Sequence, residues 1–287
     1  MVRFSAKVVD FVCWGGVAAF SMLIVYGVVR MYTMSTPLRP VEDCDRTEKE
    51  AVQSEAPYEN IGDGDVWIKD FPMLDQDQLP WCQIYTLARI FNYYGFDVKP
   101  EDIGRELGVS TNQAPSVAKT KSLLEGLCQE AGLKLKETMP SWRVSSEFVD
   151  DYNAIAQRLY KPQLYKQAII KDGPLDVEQL AAQLNVDVWM AYLDECQPER
   201  FGLFWRAIVE SIDAKAPLVW SVILGFLKEE RLEIRRGSGH MRVIVGYNPN
   251  TEEVLYSDSW GDRHKVKRMK VDDAYMITSS LWSVAER

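Results

Sequence analysis

Histidine is the scarcest reactive residue in this chain of 287 residues, with only His240 and His264, so metal centres built on several imidazoles are excluded. The five cysteines, Cys13, Cys44, Cys82, Cys128 and Cys196, form no CxxC pair, which removes zinc knuckles and thioredoxin-like motifs, and their odd number leaves at least one thiol free. No GxxxxGK[ST] occurs, so no phosphate loop of the ATP-binding type is encoded. A net charge of -9, with no basic patch interleaved with aromatics, argues against nucleic acid as a partner. Internal repeats and low-complexity blocks are also missing from the body of the chain.

What is present is 47% hydrophobic and 11% aromatic, enough for one sizeable core. Charge is absent from Phe11 to Val29, "FVCWGGVAAFSMLIVYGVV". At about 1.5 Å per residue this run nearly spans the ~30 Å of a hydrocarbon core and predicts a transmembrane helix within an N-terminal anchor, residues 1–33. No small-residue cleavage site follows it, which favours an uncleaved anchor over a signal peptide. The expected topology puts the remainder of this single-pass chain on the extracytoplasmic side. Residues 34–64 turn polar and acidic, without a sustained apolar period, and read as a flexible linker. The folded domain is then expected over 65–287.

Its first informative stretch is "QDQLPWCQIYTLARIFNYYG", residues 76–95. Ile84, Leu87, Ala88, Phe91 and Tyr94 recur at the spacing of one helix face, Gly95 supplies a terminator, and Pro80 suits the first helical position. Cys82 therefore stands in the first turn, where unpaired N–H groups and the positive end of the macrodipole favour an anion. Six residues upstream, Gln76 offers a side-chain amide that, with the Cys82 N–H, makes an oxyanion hole; Gln78 is its nearby rival.

Near the other end, "HMRVIVGY" and "EVLYSDS" are strands joined by the turn residues "NPNTE". Folding this hairpin at about Asn250 brings His240 near Asp258, because opposed residues in a ladder have side chains roughly 5 Å apart. A carboxylate there fixes the imidazole tautomer and stabilises the imidazolium. The second histidine, His264, opens the lysine-alternating "HKVKRMKV", which reads as an exposed strand. Between the two ends, residues from about 107 to 215 carry several apolar patterns at helical spacing and predict a mainly helical insertion, closed by the buried strand "APLVWSVILGF". Cys128 reads as core filler on the first of these helices, and Cys196 as a bystander.

Gln76, Cys82, His240 and Asp258 in that order, with "DSWG" at 258–261 and "FNYYGFDVKPEDIG" after the thiol, resemble the papain-like cysteine peptidases. Within them they look most like the bacteriocin-processing family, which cleaves double-glycine leader peptides. The resemblance implies an α+β papain-like fold, a catalytic helix packed on a C-terminal antiparallel sheet. It further implies Cys82 as nucleophile, His240 as base, Asp258 as its orienter, Gln76 as oxyanion donor and Trp260 as the aromatic that shields the His–Asp pair. A peptide or protein substrate is expected, with neither metal nor organic cofactor. An acyltransferase or transglutaminase-like reaction on the same residues, and a peptide-binding module without turnover, are the alternatives.

Overall fold

The computed structural model describes residues 61–166, 175–229 and 238–287. The expected anchor over 11–29 and most of the linker lie outside the described residues. Among those described, no helix is long and apolar enough to cross a membrane.

In chain order the elements are β1 (Val66–Trp67), α1 (Cys82–Tyr93), α2 (Pro100–Leu107), α3 (Val117–Glu130), β2 (Leu133–Met139), β3 (Arg143–Val144), α4 (Ser146–Arg158), β4 (Leu175–Asp176), α5 (Val177–Leu180), α6 (Val186–Cys196), α7 (Pro198–Asp213), β5 (Leu218–Leu224), β6 (Ser238–Asn248), β7 (Glu253–Ser257), β8 (Lys267–Lys270), α8 (Val271–Ile277) and β9 (Thr278–Glu286). An antiparallel sheet runs β2-β9-β5-β6-β7-β8, with β1 added against β6, while β3 and β4 form a separate ribbon.

The sheet is held by burial at its centre. Every residue of β5, "LVWSVIL", is buried, which explains why that strand reads as a continuous apolar run rather than an alternating one. Each large side chain in it contributes about 1.5–3 kcal/mol by leaving water. Strand β6 is buried from His240 onward, and both α1 and α7 pack on it. One turn into α1, the Thr86 hydroxyl donates to the Met241 carbonyl at 3.3 Å, which ties the helix to the strand beside His240. Gly95 adopts φ 81° just past α1, the left-handed conformation that ends a helix without a Cβ penalty.

Among the helices in the middle of the chain lies one strand of the main sheet. Helix α3 stops at Glu130, and "LKLKETM" continues as β2, pairing along β9 from Leu133–Glu286 to Met139–Leu281. That segment's alternation of apolar and polar residues is the period of a strand; its partner lies roughly 140 to 150 residues away. Helices α4 and α6 enclose an aromatic cluster of Phe148, Tyr152, Trp189 and Tyr192 with Trp142. The Trp189 indole N–H donates to the Met276 carbonyl at 2.9 Å, anchoring this layer to α8.

Candidate active site

Helix α1 begins at Cys82, with Trp81 as the flanking residue, so the thiol occupies the first helical position and Pro80 lies outside the helix. No side chain caps α1 and no acidic residue stands in its first turn, whereas Ser116, Ser145 and Asn185 cap α3, α4 and α6. The positive end of α1 is thus left to whatever approaches Cys82. The thiol itself is partly exposed.

Both neighbours of the thiol hold one loop. The Trp81 indole N–H reaches the Ser110 and Gln113 carbonyls, each at 3.2 Å, and the Gln83 amide donates to the Pro115 carbonyl at 3.2 Å. Residues 110–115 are thereby fixed beside the start of α1.

His240 comes from β6. Its Nε2 lies 2.7 Å from Asp258 Oδ1, just after β7, and both residues are buried. With Nε2 taken, Nδ1 is the nitrogen left for Cys82. Burial favours the neutral ring, but the charges of Asp258 and Cys82 and hydrogen bonds to both override it and push His240 up to about 9. For Asp258 burial acts in the opposite sense, yet the His240 and Arg242 charges, with hydrogen bonds from His240 and the Ser259 N–H, hold its carboxyl far below the ordinary range. The indole of Trp260 stacks on the His240 ring, centroids 4.1 Å apart and planes within 7°. The hairpin register explains the pair: stepping on from the Val243–Ser257 pairing sets Arg242 opposite Asp258 and His240 opposite Trp260.

Gln76 is buried, and three contacts fix it. Its backbone N–H donates to the Ser259 carbonyl at 2.8 Å, its Oε1 accepts from the Ser259 hydroxyl, and its Nε2 donates to the Leu79 carbonyl at 2.9 Å. The structure thus brings Gln76 to the segment that carries Asp258 and Trp260, while its rival Gln78 is exposed. His264 packs its edge against Trp260, centroids 5.9 Å apart, and is not the ring that meets Asp258. Cys128 is buried on α3, where burial pushes its thiol up to about 12, and Cys196 is partly exposed at the end of α6. Among the described residues, no group of three or more His, Cys, Asp or Glu could hold a metal ion.

Two arginines escape sequence reasoning. Arg89, on the buried side of α1, donates to the Pro72 carbonyl at 2.8 Å and to the Ser257 hydroxyl; burial lowers it to about 10. Arg242 donates through Nε to Asp258 Oδ2 at 2.8 Å. The signal for Arg242 lay in strand alternation, since residues two apart on β6 share a face.

Residues 68–283 match the family model described as the Peptidase_C39 like family. No curated protein matches the chain.

Proposed function

Because the chain belongs to the Peptidase C39-like family, a family of cysteine peptidases, we propose that Cys82, His240 and Asp258 are its catalytic triad and that Gln76 completes the oxyanion hole. The observation that carries this reading is the buried His240–Asp258 pair, 2.7 Å apart, with the helix-terminal Cys82 among the groups that favour the charged form of the same ring. The Cys82 sulfur, as thiolate, attacks the scissile carbonyl carbon. Charge moves to the carbonyl oxygen, which the Cys82 N–H and the Gln76 amide hold. Protonated His240 gives its Nδ1 proton to the departing amine as the C–N bond breaks, leaving a thioester on Cys82. Water then attacks the thioester and gives a proton back to Nδ1; the carboxylic acid leaves and the thiolate–imidazolium pair is restored. Asp258 keeps the ring aimed throughout, and Trp260 shields the ring face.

The apolar run of residues 11–29 supports a further element, an anchor that tethers the peptidase domain to a membrane by residues 34–64, with the domain on the extracytoplasmic side. A peptide or protein is the substrate class that the family supports, and the likeness to double-glycine leader peptidases makes such leaders the first sequences to try.

The test is cleavage of a peptide library that includes double-glycine sequences, with new termini read by mass spectrometry. Cleavage by the full chain is expected to fall by at least about a thousandfold in Cys82→Ala and in His240→Ala. Equal cleavage by wild type and Cys82→Ala would refute the assignment. The activity is expected to sediment with membranes and to stay there after a high-salt wash; recovery in the soluble fraction would refute the anchor.

A further inference from the structure

We propose that Arg242, braced from behind by Glu229, is a positioning residue: it grips the Asp258 oxygen that His240 does not use and so fixes the direction in which the imidazole meets Cys82. This rests on the triad reading above and extends it to two residues outside the triad.

The Asp258 carboxylate is held at both ends. His240 Nε2 and the Ser259 N–H take Oδ1 at 2.7 and 2.8 Å, and Arg242 Nε takes Oδ2 at 2.8 Å. A carboxylate bound at one oxygen can turn about its Cβ–Cγ bond; one bound at both cannot without breaking a charge-assisted hydrogen bond. Asp258 is fully buried, so water does not stand in for a missing donor at Oδ2.

Arg242 is as immobile as the group it holds. It is fully buried, and its guanidinium lies over the Tyr256 ring at 4.8 Å and near Trp220 at 5.9 Å. The far side of its fork meets Glu229, with Nη1 to Oε1 at 3.1 Å and Nη2 to Oε2 at 3.0 Å. Glu229 is itself gripped by the Tyr256 hydroxyl at 2.9 Å, with the Lys267 ammonium 4.0 Å away. A planar guanidinium with carboxylates on two edges transmits orientation in a way a lysine cannot. A fully buried guanidinium paired with a carboxylate at the edge of the interior is also a poor device for stability alone, because desolvation offsets most of the attraction. Their placement directly behind the residue that orients the base gives them a use. Tyr256 on β7, Asp258 after it and Lys267 on β8 face this pair, and beyond it His240 on β6 and Arg89 on α1 act on Asp258 while Cys82 on α1 acts on His240.

The experiment measures the rate at which iodoacetamide alkylates Cys82 in the full chain, by peptide mass spectrometry, between pH 4 and 10. Arg242→Gln alone removes the guanidinium from a mostly covered Glu229, so the informative variant is Arg242→Gln with Glu229→Gln, its fold checked by circular dichroism. The double variant is expected to label Cys82 about tenfold more slowly at neutral pH. Its acid limb is expected to move to higher pH, because Asp258 then takes a proton more readily. Arg242→Lys should recover part of the rate. In an Asp258→Asn background the double substitution should change nothing further. A folded double variant with the wild-type rate and limb, or equal slowing in the Asp258→Asn background, would overturn the role. Failure of the triad reading looks different: wild type would label no faster than His240→Ala, whatever stands at 242.

Discussion

Gln76 illustrates how much a single amide needs around it. Its oxygen is occupied by the Ser259 hydroxyl and one N–H by the Leu79 carbonyl, so the amide cannot flip, and the proposed mechanism gives the substrate oxygen to its second N–H. His240 is the titrating counterpart. Its folded value, raised from 6.5 to about 9, means that its pairing stabilises the fold fully below pH 6.5, and that this contribution is lost as pH rises through about 9. Asp258 has the opposite sign: its value is depressed below 3.8, so its contribution is present above that value and lost as pH falls through the depressed one. Wild type is therefore predicted to lose more thermal stability between pH 6.5 and 9 than Asp258→Asn, in which the imidazole loses its anionic partner. Parallel Tm profiles for the two proteins would contradict this.

Among the elements, α1 is the one on which the site depends, and its setting is tight. A Cβ on Gly104 of α2 would come within 2.9 Å of the Trp81 ring, the same ring that ties residues 110–113 to the start of α1. Gly104→Ala is predicted to cost about 1–3 kcal/mol in denaturant unfolding, by displacing a rigid indole. It should also slow alkylation of Cys82; a variant with wild-type stability would show that the ring has room to move.

Local periodicity made α1, β5 and the β6–β7 hairpin legible, since each carries its own signal: a 3.6-residue apolar face, an unbroken apolar run, or strands around turn residues. Strand β2 was not legible as part of the sheet, because its partner β9 is the last strand of the chain. The same limit hid Arg89 and Glu229. Arg89 finds Pro72 and Ser257, and Glu229 finds Arg242 and Tyr256, and no local pattern announces which charged residues will be buried by tertiary partners. Local sequence likewise left Gln78 as a rival to Gln76, since the Ser259 partner that buries Gln76 stands 183 positions away.

At the scale of the molecule, the chemistry depends on two ends of the domain meeting. The family match over 68–283 spans both of them, and the fold brings His240 and Asp258 from the C-terminal hairpin to the side of the sheet on which α1, with Cys82 at its start, packs. The chain has only two histidines, which makes that meeting directly observable. Proton NMR of the imidazole C2–H signals should resolve both, and His240→Ala assigns them. His240 is predicted to titrate near 9 and to move down in Cys82→Ala, because the sulfur's charge is one of the causes that hold the proton on the ring. A His240 signal that titrates at the ordinary imidazole value, and at the same pH with or without Cys82, would contradict the thiolate–imidazolium pair on which the proposed catalysis stands.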